Sequence, residues 1–150
     1  MRVRIEIEDG REEVDIIVKC GGKSAYIDRL AAAMYMVDRQ IMVSRDGEVL
    51  PLDLGKVLYM ESVDGRCFVY TQGEVYETGH RLYELEQQLG QYLFSRINKS
   101  AIVNLEKIQS IRTYVNRRLL LTMENGEQLI ASRQYAENIK GLLGINGRGQ

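Results

Sequence analysis

The sequence predicts a mainly β protein, α+β overall. An antiparallel β-sheet domain with short helices spans residues 41–144, preceded by a small strand–strand–helix segment over residues 1–40. Three observations predict this. From Ile41 onward short apolar runs recur at strand length, separated by pairs such as Asp46-Gly47, Asp64-Gly65 and Asn125-Gly126. Such pairs supply the positive φ that tight hairpins need. Stretches of helical periodicity are few and short. The 150 residues, 45% hydrophobic and 27% charged, describe an ordinary globular chain, large enough to hold a core without disulfides or a metal.

The elements follow in order. Arg2 to Glu8 alternates, with Val3, Ile5 and Ile7 on one face and Arg4, Glu6 and Glu8 on the other, the pattern of a half-buried strand. Val14 to Lys19 is a second strand candidate. Cys20-Gly21-Gly22-Lys23 breaks the chain, and Ser24 offers a helix N-cap. Ile27, Leu30, Met34 and Val37 recur at helical spacing and predict an amphipathic helix over 25–39. Asp38 to Gln40 is the joint to the β domain.

There, IMVSR, EVLPL, KVLYMES, RCFVYT and EVYET read as strands. Leu82, Leu85 and Leu89, with Gly90 behind them, predict one short helix. Phe94 to Ser100 reads as a polar loop leading into SAIVNL, with KIQSIRTYV and RLLLTME after it. Asn125-Gly126 turns the chain into EQLIAS. Ser132 offers the cap of a last helix bearing Tyr135, Ile139 and Leu142 or Leu143, closed by Gly144. Residues 145–150, polar and glycine-rich, are expected to be a disordered tail.

Several function classes are excluded. The longest apolar run, Leu30 to Val37, covers eight positions against the ~18 of a membrane span. The N-terminus lacks a signal-peptide apolar block, so a cytoplasmic location is expected. Cys20 and Cys67 are too few for a disulfide scaffold and too isolated for a zinc cage. Gly22-Lys23-Ser24 imitates the end of a phosphate-binding loop. That loop needs a glycine five positions before its second one, and Ile17 stands there. His80 is the only histidine, so a His-based metal site or a Ser-His-Asp relay has nothing to draw on. No catalytic residue, metal, cofactor or small-molecule substrate is expected.

The charge distribution is more informative than the net charge of −1. Residues 94–150 carry nine Lys or Arg against four Asp or Glu. Such a local excess can mark an anion-binding face. Phe94-Ser95-Arg96-Ile97-Asn98-Lys99-Ser100 gathers two cations and three small polar groups, and Ser132-Arg133-Gln134 makes a second cluster at a helix mouth. These side chains suit phosphates and base edges, and a helix N-terminus favours phosphate.

From Ile41 to Leu143 the sequence resembles the LytTR-type DNA-binding domain of bacterial transcription regulators. The resemblance rests on Val57-Leu58-Tyr59-Met60-Glu61, on Leu82 to Leu89, and on Phe94-Ser95-Arg96 through Ser100 and Val103-Asn104. It ends with Asn125-Gly126 and Ser132-Arg133-Gln134-Tyr135. It implies an elongated, mainly β fold that reads duplex DNA with loops entering successive major grooves. It also implies site residues: Asn98, Lys99 and Ser100 in one reading loop beside Arg96, Arg133 and Gln134 in another, and the turn from Asp64 to Arg66 as a lesser contact. Two departures affect base preference. The family usually has His where Asn98 stands and often a second cation where Gln134 stands; Asn and Gln suit adenine, Arg and Lys guanine.

The expected function is therefore a sequence-specific transcriptional regulator, with duplex DNA as partner. A chain of this length leaves no room for a receiver domain beside the DNA-binding one. Control is expected to pass through residues 1–40, as a homodimer contact or a partner surface, and the resemblance adds a membrane-bound regulatory protein as a candidate partner. The alternative is a protein-interaction module of the same fold that does not read DNA.

Overall fold

Ten antiparallel strands and three helices make up the computed structural model of the chain, which describes residues 1–37, 39–90 and 93–145. The first helix, α1, is Ala25–Met36. Five strands follow: β1 (Gln40–Arg45), β2 (Glu48–Asp53), β3 (Tyr59–Val63), β4 (Arg66–Tyr70) and β5 (Val75–Thr78). Helix α2 (Leu82–Leu89) leads to β6 (Phe94–Asn98), β7 (Ala101–Asn104), β8 (Ile108–Tyr114), β9 (Arg118–Met123), β10 (Gln128–Ala131) and α3 (Arg133–Leu142). Seven strands form one sheet in the order β2-β1-β5-β4-β3-β7-β6, and three form a second in the order β10-β9-β8. The mainly β fold class expected from the turn pairs is the one found.

Strand alternation divides the apolar side chains between two cores. Met60, Val69, Phe94 and Ile102 leave one face of the large sheet and pack with Leu82, Leu85 and Leu89 of α2. Tyr59, Ile97, Ala101 and Val103 leave the other face. They meet Leu119, Leu121 and Met123 of the small sheet and Ala136 and Ile139 of α3. Cys67 lies in the first core, where burial pushes its thiol up to about 11, the packed thiol expected from its strand context. Asn104 is fully buried, but its amide is satisfied: Nδ2 donates to the Val57 carbonyl at 2.9 Å and Oδ1 accepts from the Glu106 N–H at 3.0 Å.

Three readings of the sequence need correction, and a fourth falls almost wholly outside the described residues. Neither N-terminal strand forms. Residues 1–24 join no ladder and stay exposed. A hairpin in the register that the Asp9-Gly10 turn sets would pair Val3 with Ile16 and Arg4 with Asp15, but it would also put Ile7 against Glu12 and Glu6 against Glu13. Like charges directly opposite destabilise a ladder. The two arms still double back: Asp9-Gly10 is a turn with Gly10 at φ 81°, and the Tyr26 hydroxyl lies 3.6 Å from the Met1 sulfur.

Helix α1 ends at Met36, short of residue 39, and is capped as expected by Ser24 Oγ, which accepts from the Ile27 N–H at 3.3 Å. Its inner stripe is offset from the predicted one. Ala32 and Met36 are buried and Arg29 pairs with Glu106 at 3.3 Å, while Met34 and Val37 are exposed.

Phe94 to Asn98, read as loop, is strand β6, because Phe94 and Ile97 are needed in the two cores. Finally, the disordered tail expected at 145–150 lies outside the described residues, apart from Ile145. Its N–H donates to the Lys140 carbonyl at 2.8 Å and, with Gly144 at φ 74°, closes α3 in a Schellman motif. Asp38, in the predicted joint, also lies outside them.

Candidate nucleic-acid interface

Strands β6 and β7 pair regularly from Phe94 to Arg96, then slip by one residue, so that Asn98 and not Ile97 opposes Ala101. Regular alternation would turn Asn98 to the α2 side of the sheet. The bulge re-aims it to the side of the small sheet. There Asn98 Nδ2 donates to the Ile130 carbonyl at 3.2 Å, while Oδ1 accepts from the Ser100 N–H at 2.8 Å and the Ser100 hydroxyl at 3.1 Å. Asn98 thus ties the Lys99–Ser100 turn to the end of β10. A backbone bond, Ser132 N–H to the Ile97 carbonyl at 2.7 Å, makes a second tie at the same point.

These ties bring together two clusters more than thirty residues apart in sequence. Asn98, Lys99, Ser100, Ser132, Arg133, Gln134 and Tyr135 line one open concavity of about 540 Å³. Lys99, Arg133 and Gln134 are exposed. None of their side chains has a hydrogen-bond or ion-pair partner among the described residues. Ser132 stands at the N-cap of α3, but its hydroxyl makes no cap bond. The Arg133 and Gln134 amides are therefore left as open donors at the positive end of the helix. The lining is cationic and rich in donors, with no carboxylate, histidine or cysteine in it. It suits an anion.

The remaining predicted residues lie outside this lining. Arg96 is 15% exposed at its side chain. Its Nη1 donates to the Lys99 carbonyl at 3.3 Å and its Nε lies 3.6 Å from Glu86 on α2. It holds the turn from below. Arg66 stands one turn away: Ser62, at the end of β3, donates its N–H to the Ser100 carbonyl at 2.8 Å, which sets the Asp64-Gly65 turn beside Lys99. Its guanidinium grips Glu77 through two bonds of 2.7 and 2.8 Å and lies 5.2 Å from the Phe68 ring centre. The pair holds the Glu77 carboxyl below the usual carboxylate range.

One basic group escaped the sequence reading. Leu119 pairs with both Thr113 and Ala131, so the β8–β9 turn lies beside Ser132. That turn carries Arg117 and Arg118, and α3 touches it. Arg118 lies over Tyr114 at 4.9 Å and donates to the Val115 carbonyl at 3.1 Å. Arg117 is exposed at φ 59°, next to Asn116 at the same φ, a left-handed pair of non-glycine residues. The visible signal is the run Arg112 to Arg118, with three arginines in seven positions, of which the two strand runs take Arg112 and Arg118 and leave Arg117 between them.

Comparisons with known proteins bear on the family and the fold. A family model described as the LytTr DNA-binding domain matches residues 47–144. The sensory transduction protein LytT of Bacillus cereus is 34% identical over 97 residues, which cover 65% of this chain and 39% of that protein. The transcriptional regulatory protein LytR of Staphylococcus aureus is 23% identical over 108 residues, 72% of this chain and 44% of that protein. A solved LytTr DNA-binding domain from Bacillus cereus matches with a TM-score of 0.66 at 29% identity, covering 71% of this chain and 97% of that one. The chain spans less than half the length of these curated relatives.

Proposed function

We propose that this chain, which belongs to the LytTr DNA-binding domain family, is a transcriptional regulator that reads duplex DNA sequence-specifically through the concavity between the β6–β7 turn and the mouth of α3. The observation that carries this reading is the convergence of Lys99, Arg133 and Gln134 on one open, carboxylate-free surface. Cations left without protein partners at a surface are available to phosphates and base edges.

The roles divide by geometry. Lys99, exposed in a two-residue turn, contacts base edges in the major groove. Arg133 and the open amides of α3 hold a phosphate. Gln134 reads the neighbouring base, with adenine its natural partner. Asn98, Ser100 and Arg96 position the turn. Arg66 reaches DNA only by exchanging Glu77 for phosphate, a lesser contribution. Residues 41–144 form the DNA-binding domain in this reading, and residues 1–40 a separate interaction segment.

Fluorescence anisotropy of the full chain on a preferred and a scrambled duplex, at several salt concentrations, tests the assignment. Arg133→Ala weakens binding to both duplexes alike and lowers the salt slope by about one. A loss confined to the preferred duplex would move Arg133 from phosphate to base contact. Equal wild-type affinity for both duplexes would leave the interaction-module reading standing.

A further inference from the structure

We infer that Arg117, on the β8–β9 turn, is a further DNA contact, holding a backbone phosphate next to the one held at the mouth of α3. The inference rests on the reading of the concavity as a DNA surface and adds to it a residue outside that lining.

Strand pairing sets the loops of one edge in a row. The Ser62 N–H donates to the Ser100 carbonyl, which puts the Asp64-Gly65 turn beside Lys99. The Ser132 N–H donates to the Ile97 carbonyl, which puts the Lys99 turn beside α3. Leu119 of β9 lies opposite Ala131 of β10 and Thr113 of β8, so the β8–β9 turn comes next, one strand spacing of ~5 Å beyond the end of β10. Helix α3 packs against this turn. Arg117 is exposed there, and its side chain has no hydrogen-bond or ion-pair partner among the described residues. Its neighbour Arg118 is engaged by the Tyr114 ring and the Val115 carbonyl. From Arg112 to Arg118 the chain carries no carboxylate, so nothing within the turn neutralises Arg117.

The backbone is a second, independent observation. Asn116 and Arg117 both stand at φ 59°. Two other hairpins, Asp46-Gly47 and Asp64-Gly65, also hold consecutive residues at positive φ, and in each of them glycine takes the second place. Glycine adopts that conformation freely, and Asn tolerates it, but a long side chain on a Cβ is strained in it. Arg117 keeps the second place although none of the residues Val115–Arg117 is buried, so no core contact compensates the strain. Strain held at a surface points to a role outside the fold. The side chain held there is a guanidinium, whose planar fork of donors matches a phosphate. The turn lies past the end of the concavity, on the flank where the open amides of α3 already favour phosphate. Arg117 therefore extends the grip along the DNA backbone and reads no base.

Arg117→Gly tests this without endangering the fold. It removes the guanidinium and relieves the turn, so its urea midpoint is expected to equal or exceed that of wild type. Binding of the full chain is measured by fluorescence anisotropy on the preferred and the scrambled duplex over a series of salt concentrations. Arg117→Gly is expected to weaken binding to both duplexes alike and to lower the salt slope by about one. Arg117→Lys keeps the charge and is expected to keep the slope, a rescue that a purely structural role would not produce. Combined with Arg133→Ala, Arg117→Gly lowers the slope by about two, because the two residues meet different phosphates. An unchanged slope in Arg117→Gly overturns the inference; if Arg133→Ala still lowers the slope, the reading of the concavity stands. A loss confined to the preferred duplex also overturns it, by making Arg117 a base contact. Wild type without affinity for either duplex overturns both.

Discussion

Lys99→Ala is expected to cost about 1–3 kcal/mol of affinity for the preferred duplex, roughly five- to 150-fold, and to relax base preference at one position. The reason is the turn geometry. Asn98 accepts from Ser100 and donates to Ile130, and Arg96 holds the Lys99 carbonyl. The Lys99 backbone is therefore fixed while its ammonium makes no bond among the described residues. An ammonium delivered from a fixed backbone does not pay to order the loop on binding, so its contacts appear in the affinity. Lys99→Arg keeps the charge and can still meet a guanine edge. It separates loss of charge from loss of shape. Anisotropy on the preferred duplex and on single-base variants reads both. A uniform loss across all duplexes, with the salt slope lowered by about one, would make Lys99 a phosphate contact instead.

Ile97→Ala is expected to be the most destabilising change near the interface, at about 2–5 kcal/mol, with a corresponding fall in the urea midpoint at unchanged slope. Ile97 is fully buried in the core between the two sheets, against residues of the small sheet and α3. Its carbonyl receives the Ser132 N–H, and its place in the bulge aims Asn98. Removing its side chain opens a cavity directly beneath the concavity. Ile97→Val, which keeps most of the volume, costs about 0.5–1.5 kcal/mol. Equal and small shifts for both would mean that the bulge is held by its hydrogen bonds and not by the core.

How much of this the sequence carried depends on how local each signal was. Asp46-Gly47, Asp64-Gly65 and Asn125-Gly126 announce their hairpins because each turn is decided by the φ of its own residues. Leu82, Leu85 and Leu89 announce α2 because one apolar stripe suffices. Strand β6 reads as loop because three of its five side chains are polar, and only its position between α3 and α2 explains two of them: Ser95 lies near Asn138 on α3 and Arg96 near Glu86 on α2. The N-terminal arms show the converse. Their alternation is clear, but a strand exists only with a neighbour, and which neighbour is a question of charge register that alternation alone does not answer.

The site residues follow the same division. Lys99, Arg133 and Gln134 were legible as polar clusters next to turns or caps. That they share one concavity depends on a one-residue bulge and on two hydrogen bonds across more than thirty positions. Asn98 and Arg96 look like contact residues in sequence, but in the fold both polar atoms of Asn98 and the Nη1 of Arg96 hold the turn. Arg117 falls between the runs KIQSIRTYV and RLLLTME and belongs to neither, and only the pairing of Leu119 with Ala131 brings it beside α3.

The most direct test of the central claim is selection from a pool of random duplexes by the full chain, run in parallel with a Lys99→Ala, Gln134→Ala double variant. The account predicts that wild type enriches a defined motif and that the double variant, while still retaining duplexes through Arg133 and the other cations, loses specific positions from it. Enrichment of no motif by wild type, or of the same motif by both proteins, would contradict the account.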